Sequence, residues 1–407
     1  AGVLLLWQGP EILTSRWLPA TLALAHLLTL GFMAQIMLGA LLQILPVVVG
    51  VVVPRPRLLA ALIHISLTLG ALALPVAFLS GHSFWFHPAL GLLGLSFGVA
   101  LIVIHLALWR APVASGTVVA LRCALIGLLI TVGLGLSLGG YFGWGLNLPV
   151  IALTHVHAAW GLVGWTALLV AGVAYQVVPM FQITPQYPAW FVRGFAPLMA
   201  ALLVAWSASV LGGWTMAAMA TSAALAVGLA VLAGTTLYLL TRRRRKVGDV
   251  TLGYWRISMV SLLAGALLWL AMLAIPALAS APQVELLLGI LLIFGFTVGV
   301  INGMAYKIVP FLAWFHLQAQ LFRRAKVPNM KQLLPELRIR RQFWAYLTAL
   351  LLLLAAAVYP PVFTYPAALA LGVTAAWLGV NLWSVWRIYR RALHEGLANV
   401  ARKLKPD

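Results

Sequence analysis

The chain has 407 residues, of which 64% are hydrophobic and 8% charged, and its formal net charge is +20. A soluble protein of this size could not cover so much apolar surface with so few polar groups, and apolar runs of membrane-spanning length recur along the chain. The composition therefore predicts an all-α polytopic membrane protein. It excludes a soluble enzyme, and the short alternating segments of a β-barrel are not seen.

The first predicted element is the apolar opening "AGVLLLWQGP", which we interpret as the end of a helix. Eleven complete helices follow, so about twelve transmembrane helices are predicted when this N-terminal stub is counted. Their predicted bounds are 18–50, 58–80, 88–109, 116–139, 149–180, 195–213, 216–240, 255–275, 284–314, 343–361 and 367–389.

Basic residues gather at alternate helix ends. If the first complete helix runs inward, every Lys and Arg except Arg16 falls at or near the inner side. This is the positive-inside rule, so we expect a bacterial-type inner membrane protein with a cytoplasmic C-terminus. The run "TRRRRK" then contacts anionic lipid, and the charge predicts no nucleic-acid partner.

The chain contains one cysteine, Cys123. One thiol excludes an internal disulfide, a multi-cysteine zinc site, a cysteine-ligated iron–sulfur cluster and a covalent haem motif within this chain.

A repeated motif divides the helices into three groups. The segments "GFMAQIMLGALLQILPV", "GWTALLVAGVAYQVVPM" and "GFTVGVINGMAYKIVPF" share two glycines, an aromatic residue and a proline at the same spacing. They begin at Gly31, Gly164 and Gly295, and about four helices separate each from the next. We therefore predict one transmembrane domain, 1–407, built from three pseudo-threefold four-helix units at approximately 1–110, 111–240 and 241–407.

Three four-helix units with motifs on the second, sixth and tenth helices resemble the catalytic subunit of the heme–copper oxidase superfamily. The phrase "HVHAAWGLVGW" and the text after it are similar to the cbb3-type catalytic subunit. The repeat also resembles the NnrS family of membrane haem and copper proteins. These resemblances imply haem b, with or without copper, and electron transfer to oxygen or nitric oxide.

Histidines on the motif helices are the candidate ligands, because imidazole binds haem iron and copper and is rarely placed in a membrane without a role. His26, His155 and His157 are predicted in the outer third of the bundle. His155 and His157 lie about 200° apart around a helix, so they point to opposite sides and one helix could serve two sites. Arg16 is expected to pair with haem propionates. His82 and His87 are placed in an outer loop over the site.

The chain departs from the oxidase pattern in its third unit, whose motif helix carries no histidine. A rotated assignment would make His26 and His64 copper ligands, with His155 or His157 on a haem, although His64 lies deep toward the inner side. Acidic residues are too few for a relay across the inner half of the membrane, so redox-driven proton pumping is not expected. Proton uptake from the outer side stays open.

Three functions stay open at this stage, and the motifs do not decide whether the chain is an enzyme. The first is a haem or haem–copper redox protein that receives electrons from a quinol or cytochrome c, with or without partner subunits. The second is a non-catalytic protein, like NnrS, that handles haem, copper or nitric oxide. The third is a transporter that keeps the fold without cofactors.

Overall fold

The structure is a computed structural model that describes residues 1–46, 50–51, 53–111, 114–244, 249–321 and 327–403, with side chains described as far as residue 397. The described residues form helices joined by short connections and contain no strand. Eleven of the helices are long and apolar enough to cross a membrane. The protein is therefore an all-α, multi-pass membrane protein, and the eleven predicted helices are confirmed.

The helices are numbered α1 to α12 in chain order. They are α1 Gly2–Gln8, α2 Pro19–Ile44, α3 Pro56–Ser80, α4 Ser83–Trp109, α5 Gly116–Trp144, α6 Val150–Gln182, α7 Ala189–Leu211, α8 Thr215–Thr241, α9 Val250–Ala274, α10 Pro282–Leu321, α11 Glu336–Val358 and α12 Pro360–Lys403. The short α1 packs against α12, the last helix.

Several helices begin earlier than the sequence patterns predict. Helix α4 begins at Ser83, so His87 is a helical residue and the predicted loop position is wrong. Helix α11 begins at Glu336, directly after Pro335, and α12 begins at Pro360. Pro360 lies in the first turn of α12, where the missing amide proton leaves nothing unpaired, and Pro335 is the N-cap of α11.

The two ends of the bundle differ in charge. One end, called here the basic end, contains the end of α2, the start of α3 and every equivalent junction, and it carries the Lys and Arg residues of the described chain other than Arg16. The opposite end contains Arg16 before α2 and Glu285 in the first turn of α10. We call it the Arg16 end.

The three motif helices share one irregularity of the backbone. Each contains a π-helical segment, at Thr29–Ala34 in α2, Trp160–Ala167 in α6 and Leu291–Val298 in α10. Each segment ends twelve residues before the motif proline. A π segment widens one turn of a helix and frees backbone carbonyls, and such segments are common at functional sites.

The π segments meet inside the bundle, where that of α10 contacts those of α2 and α6. The motif glycines let neighbouring helices approach closely. A Cβ on Gly164 would lie 3.4 Å from the Cα of Gly127, and a Cβ on Gly295 would lie 2.6 Å from the Ser261 hydroxyl. Close backbone contact at small residues is a main source of helix association in membranes. The second and third units therefore pack in the same way.

Candidate functional site

A cavity of about 730 Å³ lies among the motif helices toward the Arg16 end. Its wall is mainly aliphatic and aromatic, and its charged or imidazole side chains are Arg16, His26, His155, His157 and Glu285. The volume is within the usual range of about 300–1,000 Å³ for small-molecule and cofactor sites. Four residues predicted separately as ligands or partners thus share one cavity.

The rings of His26 and His157 are neighbours in the lining of this cavity. Their ring planes differ by 18° and their ring centroids are 6.3 Å apart. His26 Nδ1 lies 2.7 Å from the Leu22 carbonyl oxygen, and His157 Nδ1 lies 3.0 Å from the Thr131 carbonyl oxygen. Because a carbonyl only accepts, both Nδ1 atoms carry protons. Both Nε2 atoms therefore keep free lone pairs.

The surroundings of this pair hold the rings in place. The Phe78 ring lies 5.5 Å from that of His26. Gly135 passes so close to His157 that an added Cβ would lie 3.0 Å from its Cε1 atom. A histidine that gives its Nδ1 proton to a backbone carbonyl has a defined tautomer and orientation, as metal-ligating histidines usually do.

His155 has a different partner. One Arg16 Nη lies 3.1 Å from its Nδ1 and 3.3 Å from its Nε2. Arginine only donates, so the unprotonated ring nitrogen of His155 accepts this bond and is not free for a metal. His155 and His157 both line this cavity, and each has its own neighbours.

Arg16 also joins the segment before α2 to the start of α10. Its Nε lies 2.9 Å from a carboxylate oxygen of Glu285, and its guanidinium lies 4.5 Å from the centre of the Trp17 ring. Burial lowers the pKa of Arg16, while Glu285 acts in the opposite direction. The guanidinium stays charged because arginine keeps its proton in proteins. Arg16 thus has a carboxylate partner within the chain.

His64 is not brought to the cavity. It lies on α3, where its Nδ1 is 2.5 Å from the Gln35 side-chain oxygen, and its ring is next to Gly39. A copper site shared by His26 and His64 therefore has no support in this arrangement. His87 packs against Trp144, and its Nε2 lies 3.1 Å from the Gly143 carbonyl oxygen.

Across the part of the chain that the structure describes, no group of three or more His, Cys, Asp or Glu side chains could hold a metal ion. A copper or zinc ion bound by protein alone usually needs three or four ligands. Haem iron takes four nitrogens from its own porphyrin and needs one or two from the protein. The donor set of His26 and His157 therefore fits a haem and does not fit a bare metal ion.

Sequence patterns alone miss two features of the site. The first is the pair of carbonyl acceptors, from Leu22 and Thr131, which select the free nitrogens. The second is the π segment, although the phrases "GWT" and "GFT" contain its signal. The Thr166 and Thr297 hydroxyls each bond a carbonyl five residues earlier, which is the spacing of a π turn.

No family model matches the chain, and a search of curated proteins finds no relative.

Proposed function

We propose that this chain is a haem b protein of the membrane, with His26 and His157 as the two axial ligands, and that it transfers electrons. The observation that carries the proposal is the pair of imidazoles with free Nε2 atoms on one cavity wall. Their ring centroids are 6.3 Å apart and their planes are stacked within 18° of parallel, so one haem in this cavity would contact both.

The residues of the chain would bind and orient the cofactor. His26 and His157 supply the ligands, and the carbonyls of Leu22 and Thr131 fix their tautomers. The aliphatic and aromatic wall excludes water, which keeps the dielectric constant of the site low. A bound haem supplies one-electron redox chemistry.

If His26 and His157 both held the haem, the group would supply electron transfer or be stored, and a gas would not bind at the same haem. Transfer of the electrons onward to oxygen or nitric oxide would then need a second centre. A quinol or cytochrome c is the proposed donor. The charge asymmetry of the bundle supports a bacterial-type inner membrane with the basic end and the C-terminus in the cytoplasm.

Haem content of matched variants tests the proposal. We expect the purified wild-type protein to show a Soret band and a reduced-minus-oxidised haem b spectrum. His157→Ala and His26→Ala should each lower haem content by about tenfold or more, because one axial ligand is lost. His155→Ala is the matched control, since it removes an imidazole two residues away on the same helix and should keep its haem.

Two results would contradict the proposal, and two others would favour an alternative. A wild-type protein without a Soret band would exclude haem and leave the cofactor-free transporter. Loss of haem in His155→Ala with retention in His157→Ala would show that His155, and not His157, is the ligand. Copper that purifies with the wild-type protein but is absent from purified His64→Ala would support the copper hypothesis. A haem protein that shows no turnover with quinol or cytochrome c would match the non-catalytic, NnrS-like alternative.

A further inference from the structure

The third four-helix unit has polar side chains where the second unit has apolar ones. The two units can be aligned by their motif prolines and by the contacts of their glycines: Gly303 contacts Thr251 and Tyr254 as Gly172 contacts Thr117 and Ala120. With this alignment, each polar residue of the third unit stands where the second unit has an apolar one: Tyr254 in place of Ala120, Ser258 in place of Ala124, Ser261 in place of Gly127, and Asn302 in place of Ala171. All four polar residues of the third unit are buried.

The polar side chains begin at the basic end. Lys307 Nζ lies 2.6 Å from one carboxylate oxygen of Asp249, and the Thr251 hydroxyl donates to the other over 2.6 Å. Gln182 of the second unit also bonds the Thr251 hydroxyl. The side chains of Lys307 and Asp249 are 25% and 17% exposed, so this group is reached from the surface of the basic end.

Three tyrosines continue from this group toward the cavity. The rings of Tyr306 and Tyr254 are 6.1 Å apart, and those of Tyr254 and Tyr346 are 5.4 Å apart. Asn381 donates to the Tyr306 hydroxyl, and the Tyr254 hydroxyl donates to the side-chain oxygen of Gln342. Each tyrosine thus has a polar group beside it in a region that is otherwise apolar.

The last tyrosine lies outside the cavity lining, but its hydroxyl bonds the backbone of a residue that lines it. The Tyr346 hydroxyl lies 3.0 Å from the carbonyl oxygen of Phe294 and 2.9 Å from that of Gly295, both within the π segment of α10. Phe294 lines the cavity. The Tyr346 and Ser258 hydroxyls both lie beside Gly299, at 2.6 Å and 2.3 Å from the place where a Cβ would be. A larger residue at Gly299 would separate them.

Two buried polar atoms of α9 and α10 have no hydrogen-bond partner among the residues that the structure describes. They are the Ser258 hydroxyl and the side-chain oxygen of Asn302, and their residues are 0% and 3% exposed. Buried polar groups without a partner are rare in native proteins, and internal water commonly supplies the missing hydrogen bonds. Polar residues inside a membrane also commonly mark the paths of protons or ions.

We propose that these residues form a hydrated route, called here the third-unit route, along which protons pass between the basic end and the cavity. Water held at Ser258 and Asn302 joins the hydroxyl of Tyr346 to the groups near Lys307. Each hydroxyl or water accepts one proton and releases another, so the route returns to its starting state and needs no oxidant. The proposal stands without haem, and it makes the basic end, rather than the outer side, the source of protons.

Silver ions test whether the route is hydrated. In a Cys123→Ala background, Ser258→Cys is compared with Ala124→Cys, which lies at the same depth in the second unit. Purified protein is exposed to Ag⁺, and the thiols left unreacted are counted with a fluorescent maleimide after denaturation. We expect Ser258→Cys to react about tenfold faster or more, because water fills a path to it. Equal rates, or no reaction at either site, would overturn the proposal.

Hydroxyl exchange tests whether protons move along the route. After transfer of the protein into D₂O, infrared spectroscopy follows deuteration of the Tyr346 hydroxyl, whose band is identified from its loss in Tyr346→Phe. We expect rapid exchange in wild type and exchange slowed about tenfold or more by Ser258→Ala with Asn302→Ala, since the water positions are lost. The control Gln176→Ala, a polar change in the second unit, should leave the rate unchanged. A rate unaffected by the double variant would contradict the route.

Discussion

The second and third four-helix units have the same backbone plan but different side chains. Both motif helices contain a π segment that ends twelve residues before a proline, and both pack glycines against the preceding helix. The second unit carries His155 and His157 on the cavity wall. The third unit carries no histidine on its motif helix before Pro310, and it holds buried tyrosine, serine and asparagine side chains in its interior.

This difference shows that repeated units with one backbone plan can carry different side-chain chemistry. The glycines and the π segment set helix spacing through backbone contacts, so the remaining positions are free to change chemistry. An imidazole pair can then lie on the cavity wall in one unit, while buried hydroxyl groups occupy the interior of another. Substitutions at equivalent positions of the two units test whether the backbone plan and the side-chain chemistry are independent.

The largest effect is expected at the closest backbone contact of the second unit. A Cβ on Gly127 would lie 2.3 Å from the backbone carbonyl of Gly164, whereas a Cβ on Gly133 of the same helix meets nothing within 4 Å. Gly127→Leu should destabilise the protein by about 3 kcal/mol or more, since overpacking against backbone cannot relax through rotamers. Most of the folded yield on size-exclusion chromatography should be lost. Gly133→Leu is the matched control, and equal yields for the two variants would contradict the expectation.

An intermediate effect is expected at the basic end, where the third unit has an ion pair and the second a neutral hydrogen bond. Burial acts to raise the pKa of Asp249, but the hydrogen bonds and charge of Lys307, together with Thr251 and the Leu252 amide, outweigh it and lower that pKa. Asp249→Asn should cost about 1–3 kcal/mol at neutral pH, less than a fully buried pair because both side chains are partly exposed. Thermal unfolding in detergent measures this cost.

The pH dependence of that cost follows from the lowered pKa. A carboxyl whose folded pKa is depressed stabilises the fold above its unfolded pKa of about 3.9, and this contribution is lost as the pH falls through the folded pKa. The stability difference between wild type and Asp249→Asn should therefore be constant near neutrality and shrink below about pH 4. Gln176→Ala, at the position in the second unit equivalent to Lys307, should show no such change. A difference that grew in acid would refute the assignment.

The smallest effect is expected inside the π segments. Thr166→Val and Thr297→Val each remove one hydroxyl bond to a carbonyl five residues earlier, which is worth about 0.5–1.5 kcal/mol. The π segments should persist, because the first unit has one with Met33 at the equivalent position. Thermal unfolding measures the loss, and a structure of Thr297→Val with a regular α-helix at 291–298 would show that the hydroxyl is required.

The helices and their common register were predictable from local patterns. Apolar runs of spanning length must form helices in lipid, because no other segment can satisfy its own backbone there. The glycine and proline spacing of the motif, repeated at Gly31, Gly164 and Gly295, predicted equivalent helices. The histidines at 26, 155 and 157 were identified for the same reason, since each precedes a motif glycine at the Arg16 end.

The sequence by itself thus determined the class of protein, the number of membrane helices and the residues that could bind a cofactor. Only the tertiary structure decided which of their ring nitrogens lack a partner. His155 and His157 have the same side chain, but Arg16 occupies a nitrogen of the first and the Thr131 carbonyl leaves one free on the second. The third-unit route is likewise invisible in any single helix, because its groups come from α9 to α12 and become neighbours when those helices pack. Local patterns encode which segments become helical, whereas a hydrogen bond depends on which helix lies opposite.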